Sequence, residues 1–390
     1  MSLKEKIQDL AVGYHAEVVA NRRHLHAHPE LSFYEYETSK FIQQKLEEYG
    51  VSYQAGVVNT GVIALIEGKN PKSKCIALRA DIDALPIQEL NEVEYCSKND
   101  GVMHACGHDV HTASLLGVAR ILNELKKEWE GSVKLIFQPA EEKLPGGASL
   151  MIKEGVLDNP KVDKIIGQHV SPELKSGVIG MRSGMFMASA DEIYITAIGR
   201  GGHAALPEKT LNPVLMASKI VCALYEHFDA VDHIPSVLSI GVVDGGSAGN
   251  IVPDEVKLQG TFRAMNEEYR AQAHQKIHDI CQAVANEMGG SCEVDVKVGY
   301  PFLQNDEALT ASCFKNAQEF LNTNDVIEIS KRMTAEDFAY YTHHVPACFY
   351  RLGVGFENES DRYLHNAHFD IDENALQLSV GMMAWLAVNA

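Results

Sequence analysis

Apolar residues recur along the chain in two rhythms. In the N-terminal third, short apolar runs alternate with helical stripes. Thr38–Tyr49 carries a one-sided stripe that Gly50 stops. Gly61–Glu67 (G-V-I-A-L-I-E), Cys75–Leu78 (C-I-A-L), Val133–Phe137 (V-K-L-I-F) and Val162–Gly167 (V-D-K-I-I-G) read as strands. Between them, His111–Lys126 places Ala113, Leu116, Ala119, Leu122 and Leu125 on one helical face. Such alternation predicts an α/β fold, a largely parallel or mixed sheet sandwiched by helices.

Near Ser183 the rhythm changes. Asp191–Gly199 (D-E-I-Y-I-T-A-I-G) alternates strictly, as half-exposed antiparallel strands do. A helix follows from Pro213 to about Phe228. Ser236–Val243 and Glu255–Arg263 are strands on either side of D-G-G-S-A-G-N, which reads as a turn. Asn266 caps a helix with Ala273, Ile277, Ile280, Val284 and Met288 on one face, and Gly289 ends it. Cys292–Val298 is a last strand. The order strand, helix, strand, strand, helix, strand is that of a ferredoxin-like α+β unit. An inserted domain is therefore expected at 184–297, dividing a main domain into 1–183 and 298–390. No repeat or low-complexity tract interrupts either.

Polar residues collect where the strands of the main domain stop. Asp81 and Asp83 follow C-I-A-L-R, Glu141 and Glu142 follow V-K-L-I-F-Q-P-A, and Gln168-His169 follow K-I-I-G. Ligands of open α/β sheets bind beyond the carboxyl ends of strands, so these ends predict one shared site. M-H-A-C-G-H-D-V-H (Met103–His111) adds a thiol, three imidazoles and a carboxylate just before a helix. Each fragment alone is ordinary: a C-x-H is usually structural, a single His at a strand end usually hydrogen-bonded, and paired Glu usually solvated. Their coincidence at several strand ends is not. Zinc takes Cys, His and carboxylate ligands and keeps a position open for water, and paired divalent metals activate that water against a carbonyl. An adjacent Glu pair could divide metal binding from proton transfer if its segment stays extended, because successive side chains then diverge.

Composition narrows the class. With 34 Lys and Arg against 53 Asp and Glu, the net charge of −19 opposes nucleic-acid binding. The eight Cys show no disulfide or C-x-x-C spacing and mostly lie in apolar runs, as in a reducing compartment. No apolar run is long enough to span a bilayer, and the first residues lack a signal-peptide stretch. The expected location is cytoplasmic, with no membrane partner.

The motifs as a set resemble the aminoacylase/carboxypeptidase-type dinuclear metallopeptidases, in the branch of bacterial hippurate hydrolases and plant auxin-conjugate amidohydrolases. The matching stretches are R-R-H-L-H-A-H-P-E-L-S (Arg22–Ser32), R-A-D-I-D-A-L-P (Arg79–Pro86), M-H-A-C-G-H-D-V-H-T (Met103–Thr112) and F-Q-P-A-E-E (Phe137–Glu142). They continue with G-R-G-G-H-A-A-L-P (Gly199–Pro207), N-I-V-P-D (Asn250–Asp254), G-T-F-R (Gly260–Arg263), E-D-F-A-Y-Y (Glu336–Tyr341) and L-H-N-A-H-F-D (Leu364–Asp370). The resemblance implies a zinc-peptidase-like catalytic domain with an inserted dimerisation and lid domain, and a homodimer. It implies two divalent metal ions held by Cys106, His108, Glu142, His169 and His365, with Cys106 bridging as a thiolate. Zinc suits these donors best; manganese, cobalt and nickel are alternatives. Glu141 would be general base and acid. His203 would reach a partner subunit's site and stabilise the oxyanion, while Asn250 and Arg263 would hold the substrate carboxylate. The implied reaction is hydrolysis of N-acetyl or N-benzoyl amino acids to a carboxylic acid and an amino acid. Competing readings are a dipeptidase or an N-acetyl-diaminopimelate-type deacetylase, a non-catalytic ligand-binding relative, or a protein using Cys106 as a reactive thiol.

Two departures stand out. Distant relatives place His-x-Asp where this chain has Asp81-Ile82-Asp83, so Asp81 is left out of the metal set and Asp83 is expected to orient a ligand. Glu142 is followed by K-L-P-G-G rather than a shorter Gly-rich turn, which would reshape the pocket. His24, His26 and His28 are expected to be structural, His343 and His344 to be surface residues, and His368 competes with His365 as ligand.

Overall fold

The structure, a computed structural model, describes residues 1–229, 233–321, 323–357 and 362–390. The chain forms two compact units. One comprises Met1–Gly184, Gln304–Ser330 and Asp337–Ala390; the other comprises Met185–Leu303 and Lys331–Glu336.

The first unit opens with helices α1 (Leu3–Gly13), α2 (His15–Ala27) and α3 (Tyr36–Glu48). Ser2 and Glu5 close a capping box on α1. Strands β1 (Tyr53–Val57), β2 (Gly61–Glu67) and β3 (Cys75–Asp81) precede α4 (His108–Glu124), and β4 (Ser132–Gln138), α5 (Gly147–Lys153), β5 (Lys164–Lys175) and β6 (Ile179–Met181) follow. The second unit holds β7 (Asp191–Ile198), β8 (Gly202–His203), α6 (Pro213–Asp229), β9 (Ser236–Asp244), β10 (Ile251–Val252), β11 (Glu255–Ala264), α7 (Glu267–Glu287) and β12 (Ser291–Val298). The chain then returns through α8 (Glu307–Phe320), β13 (Val326–Glu328), β14 (Ala347–Gly355) and α9 (Ala375–Asn389) to complete the first unit.

The large sheet has the order β1-β2-β4-β3-β5-β14-β6-β13. Its four central strands, β4, β3, β5 and β14, run parallel, and antiparallel strands lie on either side. It is a mixed sheet flanked by helices. β3 and β4 are buried at every position, as central parallel strands are. Helix α9 packs against α4 and α1 in the core on one face of this sheet, while Ile136, Met151, Ile165, Phe338 and Phe349 are buried outside that cluster.

The second unit has a fully antiparallel sheet in the order β9-β11-β7-β12. Helices α6 and α7 pack on it through Met216, Ile220, Leu224, Ala273, Ile277 and Cys281, a separate core. Its strands occupy the sheet in the order second, third, first, fourth, the ferredoxin-like arrangement. Among the described residues no helix is long and apolar enough to cross a membrane.

Several elements differ from the sequence expectation. Helix α4 starts at His108 rather than His111, because Gly107 turns the chain in the left-handed region (φ 81°) and polar His108 and Asp109 are buried with the helix. Strand β3 continues through Arg79-Ala80-Asp81. Strand β5 continues through Gln168-His169, so His169 lies inside the ladder opposite Arg351 and not beyond a strand end. Ladder hydrogen bonds are made by the backbone, so a buried polar side chain does not end a strand when neighbours on both sides pair with it.

Candidate metal centre

The parallel strands bring their chemistry to one place. Asp81 ends β3, and the next amide, Ile82, donates to Gln138 O at the end of β4 (3.0 Å), holding the two strand ends level. The chain returns at Cys106-Gly107-His108 to start α4. A Cβ on Gly107 would lie 2.5 Å from Val170 Cγ2 of β5, so only glycine fits between the thiol and the imidazole. Fourteen of the 17 residues of α4 are buried, which obliges the polar groups of its first turn to find partners.

Those partners fix the ring orientations. His108 Nδ1 donates to Asp83 O at 2.9 Å and lies 3.2 Å from Asp83 Oδ1, so its Nε2 lone pair is turned into the site. His169 Nδ1 donates to Val170 O (2.8 Å), and its Nε2 faces Cys106 Sγ at 3.4 Å. Glu142 Oε1 lies 3.9 Å from His108 Nε2 and 3.4 Å from His365 Nε2. Ligand atoms of Cys106, His108 and His169 lie within 4.8 Å of one another, as do those of Cys106, Glu142 and His365. The structure therefore brings the five expected ligands together, with Cys106 common to both groups. His365 adopts φ 61° and joins a group, whereas His368 joins none among the described residues.

The segment Pro139–Glu142 is not extended. Ala140 has φ 54°, and a Cβ on Gly147 would fall 1.7 Å from Pro139 O, so the start of α5 is pressed onto the turn. This turn at Ala140 precedes both glutamates, so simple strand alternation does not set the directions of Glu141 and Glu142. Glu142 donates its amide to Asp83 Oδ2 (3.0 Å), and Glu141 Oε1 accepts the Asp337 amide at 3.4 Å. Asp81 has both oxygens engaged, one by Arg79 and one by His111. His111 spends its other nitrogen on the Val170 amide (3.0 Å), so the third imidazole of the motif anchors strand β5.

The charges of the site call for a cation. Burial favours a neutral His108, but Asp81, Asp83 and Glu142 overcome it and push the imidazole up to about 10. Burial pushes the Cys106 thiol well up, and the carboxylates of Glu142, Glu141 and Asp81 add to this. His169 is held well below its ordinary value by burial and by Arg351, which keeps it in the neutral, ligating form. His108 Nε2 and Glu142 Oε1 are buried without a hydrogen-bond partner. A divalent cation in place of the proton on His108 Nε2 would give both atoms a partner, and the thiol, imidazole and carboxylate donors suit the same group.

Sequence reasoning left several residues of this region without a role. Arg22 is fully buried and joins Asp109, next to His108, to Asp370 in the segment after His365 (2.8 Å each). His26 joins the same network through Asp109 and Glu89. Glu35 and Ser32 approach from the Pro29–Glu35 stretch. Arg22, Ser32, Asp109 and Asp370 were legible only as parts of motifs, and Glu35 and Glu89 lie outside the motifs altogether.

In the second unit, His203 on β8 pairs with Ile251 on β10, and Ala204 donates to Asn250 O (3.1 Å), so His203 and Asn250 are neighbours. His203 Nδ1 accepts the Ala205 amide (3.1 Å), leaving the proton on Nε2 as an exposed donor. Arg263 is not beside them. Glu255 opposes Ile198 at the β8–β10 end of the sheet, while Arg263 opposes Val237 at the other end. Eight strand rises separate positions 255 and 263, about 26 Å. Within one chain, Asn250 and Arg263 therefore lie toward opposite ends of this sheet.

Comparison with known proteins accords with this centre. Residues 77–389 match Peptidase family M20/M25/M40. The chain is 39% identical over 362 residues to the N-acetyl-L-cysteine deacetylase of Bacillus subtilis, covering 92% of this chain and 85% of that one. It is 42% identical over 308 residues to the N-acyl-L-amino acid amidohydrolase of Geobacillus stearothermophilus, covering 78% and 82%. The solved structure of Bacillus subtilis YxeP, described as a dinuclear metal binding peptidase from the M20 family, superposes with a TM-score of 0.83 at 35% identity, covering 96% of this chain and 98% of that one.

Proposed function

The chain belongs to peptidase family M20/M25/M40 and is a metal-dependent amidohydrolase, and we propose that its substrates are N-acyl amino acids, cleaved to a carboxylic acid and an amino acid. The observation that carries this is the pair of ligand groups sharing Cys106, with His108 Nε2 and Glu142 Oε1 buried and, among the described residues, without a hydrogen-bond partner. Cys106, His108, Glu142, His169 and His365 would hold two divalent cations, with Cys106 as a thiolate. Zinc suits the thiolate and imidazoles. The chemistry supplied there, when bound, is Lewis-acid polarisation of the acyl carbonyl and acidification of water.

The chain's own residues divide the remaining work. Glu141 accepts the proton of the attacking water and returns it to the leaving nitrogen. Asp83 holds the His108 ring and the Glu142 backbone in place. His203 offers Nε2–H to the developing oxyanion, and Arg263 pairs with the substrate carboxylate, Asn250 assisting. The sheet length between Asn250 and Arg263 supports a shared arrangement. If all three residues meet one substrate, His203 and Asn250 come from one copy and Arg263 from another. The inserted unit would then act as the dimerisation and lid domain of a homodimer. The free thiols fit a reducing, cytoplasmic compartment.

Purified protein, chelated and then reloaded with zinc, manganese, cobalt or nickel, should release amino acid from N-acetyl or N-benzoyl amino acids only when metal is present. Turnover of dipeptides alone would move the substrate class to a dipeptidase. Mixing inactive His203→Ala and Glu141→Ala proteins should restore part of the activity. No recovery, once subunit exchange is demonstrated, would overturn the shared site.

A further inference from the structure

A fully buried carboxylate, that of Glu35, takes no part in the chemistry above. It stands just before α3, where an acid ordinarily caps the helix. It does not do so here. Glu30 takes the first amides of α3, those of Glu37 (3.2 Å) and Thr38 (2.8 Å), and the Glu35 side chain makes no bond to them. Its oxygens face elsewhere. Oε2 accepts the Thr60 hydroxyl (2.7 Å), and Oε1 accepts the Phe33 amide and the Ala140 amide (2.9 Å each).

Phe33 and Ala140 are both non-glycine residues in the left-handed region, at φ 70° and 54°. Such conformations persist only where the surroundings over-determine them. Here one carboxylate oxygen collects both amides. The other side of the turn is held in the same way, since Asp83 Oδ2 accepts the Glu142 amide and the Ser32 hydroxyl (2.7 Å). The backbone amides on either side of Glu141 are thus each tied to a buried carboxylate, and both carboxylates are braced by the stretch Ser32–Glu35.

We propose that Glu35 is a positioning residue for Glu141, fixing the left-handed turn at Ala140 and so the direction in which the general base points. This rests on the reading of Glu141 as the base. Burial and the charge of Asp83 push the Glu35 carboxyl up to about 7, so a neutral side chain of the same length suits the position. Its role is carried by reach and by acceptor geometry.

The test compares Glu35→Ala, Glu35→Asp and Glu35→Gln with the parent protein, loaded with zinc. It measures bound metal per chain, kcat and KM on N-acetylmethionine, and hydrogen exchange of the peptide spanning residues 137–144. Glu35→Ala and Glu35→Asp should keep their metal and a KM within about threefold. Their kcat should fall about 100-fold, the loss expected from an ångström-scale misplacement, and exchange in residues 140–142 should rise. Glu35→Gln, which keeps the reach and an acceptor, should stay within about fivefold of the parent in kcat. Should Glu35→Ala not fold, Glu35→Asp against Glu35→Gln makes the same comparison. An unchanged kcat in Glu35→Asp, loss of metal in step with activity, or a Glu35→Gln protein as slow as Glu35→Asp would overturn the proposal. Failure of the substrate reading looks different. The parent protein would then be inert on N-acetylmethionine, while the exchange measurement would still report whether Glu35 holds the turn.

Discussion

Replacing Asp83 by Asn removes one oxygen from a carboxylate that uses both. Oδ1 faces His108 Nδ1 (3.2 Å), and Oδ2 accepts the Ser32 hydroxyl and the Glu142 amide (2.7 and 3.0 Å). Burial opposes the charge of Asp83, yet these donors hold its carboxyl below the usual range. An amide in its place has two orientations. With its oxygen toward Glu142, its NH2 group confronts the proton on His108 Nδ1, which also bonds Asp83 O. With its oxygen toward His108, its NH2 group confronts the Glu142 amide. Either way one buried donor is left without an acceptor, which costs about 1–3 kcal/mol. If the loss falls on the site, metal affinity drops about 5- to 150-fold, in line with the 10- to 100-fold typical of groups that orient ligands. Competition against a chromophoric chelator measures it directly, with thermal unfolding of the chelated protein as the control for folding. Asp83→Asn that binds metal within threefold of the parent, while still folded, would refute the role of Asp83 in orienting His108 and Glu142.

Three further outcomes are expected. Glu141→Gln should retain its metal and lose about 10²- to 10⁴-fold in kcat; turnover above a tenth of the parent rate, with metal content equal, would remove Glu141 as the base. Arg22→Met removes the buried guanidinium shared by Asp109 and Asp370, leaving them only His26 and the part-exposed Arg362 as cationic partners, so urea unfolding should show a loss of about 3–5 kcal/mol; a loss below 1 kcal/mol would show that the buried pairs are not coupled to stability. Burial opposes the charge of Glu89, but His26, the Ser97 amide and Asn91 bring its pKa down to about 2. A folded pKa below the unfolded one stabilises above the unfolded value, near 4.5, and that contribution disappears as pH falls through about 2. The stability gap between the parent and Glu89→Gln should therefore be constant from about pH 5.5 up to the pH at which His26, its pKa raised by Asp109 and Glu89, gives up its proton, and close as the pH is lowered from 4.5 to 2; a gap independent of pH across the acid range would mean that the carboxylate charge contributes nothing.

The hydrophobic rhythm along the chain determined most of the architecture. Mostly apolar runs such as Val133–Phe137, interrupted only by Lys134, suit central strands covered on both faces, whereas the alternation of Asp191–Gly199 leaves one face wet. Those local preferences agree with the tertiary result because burial by face is set within each segment. Residue types at the strand ends likewise pointed to metal chemistry, since few other sites require a thiol, imidazoles and paired carboxylates together.

What the sequence alone could not determine depends on partners distant in the chain. Strand β5 runs on through His169 only because β14, nearly two hundred residues later, pairs with it there. The left-handed turn at Ala140, just before Glu141 and Glu142, exists because Glu35, Asp83 and the start of α5 hold its amides and press on its carbonyl, and no property of the local sequence P-A-E-E encodes a left-handed alanine. The separation of Asn250 from Arg263 comes from the length of one intervening strand, which a motif comparison does not measure. Hydrophobic burial acts residue by residue and is written locally. Hydrogen-bond direction and the distance between charges belong to the assembled chain, so the tertiary structure alone decided which thiol, imidazole and carboxylate groups of this protein face one another.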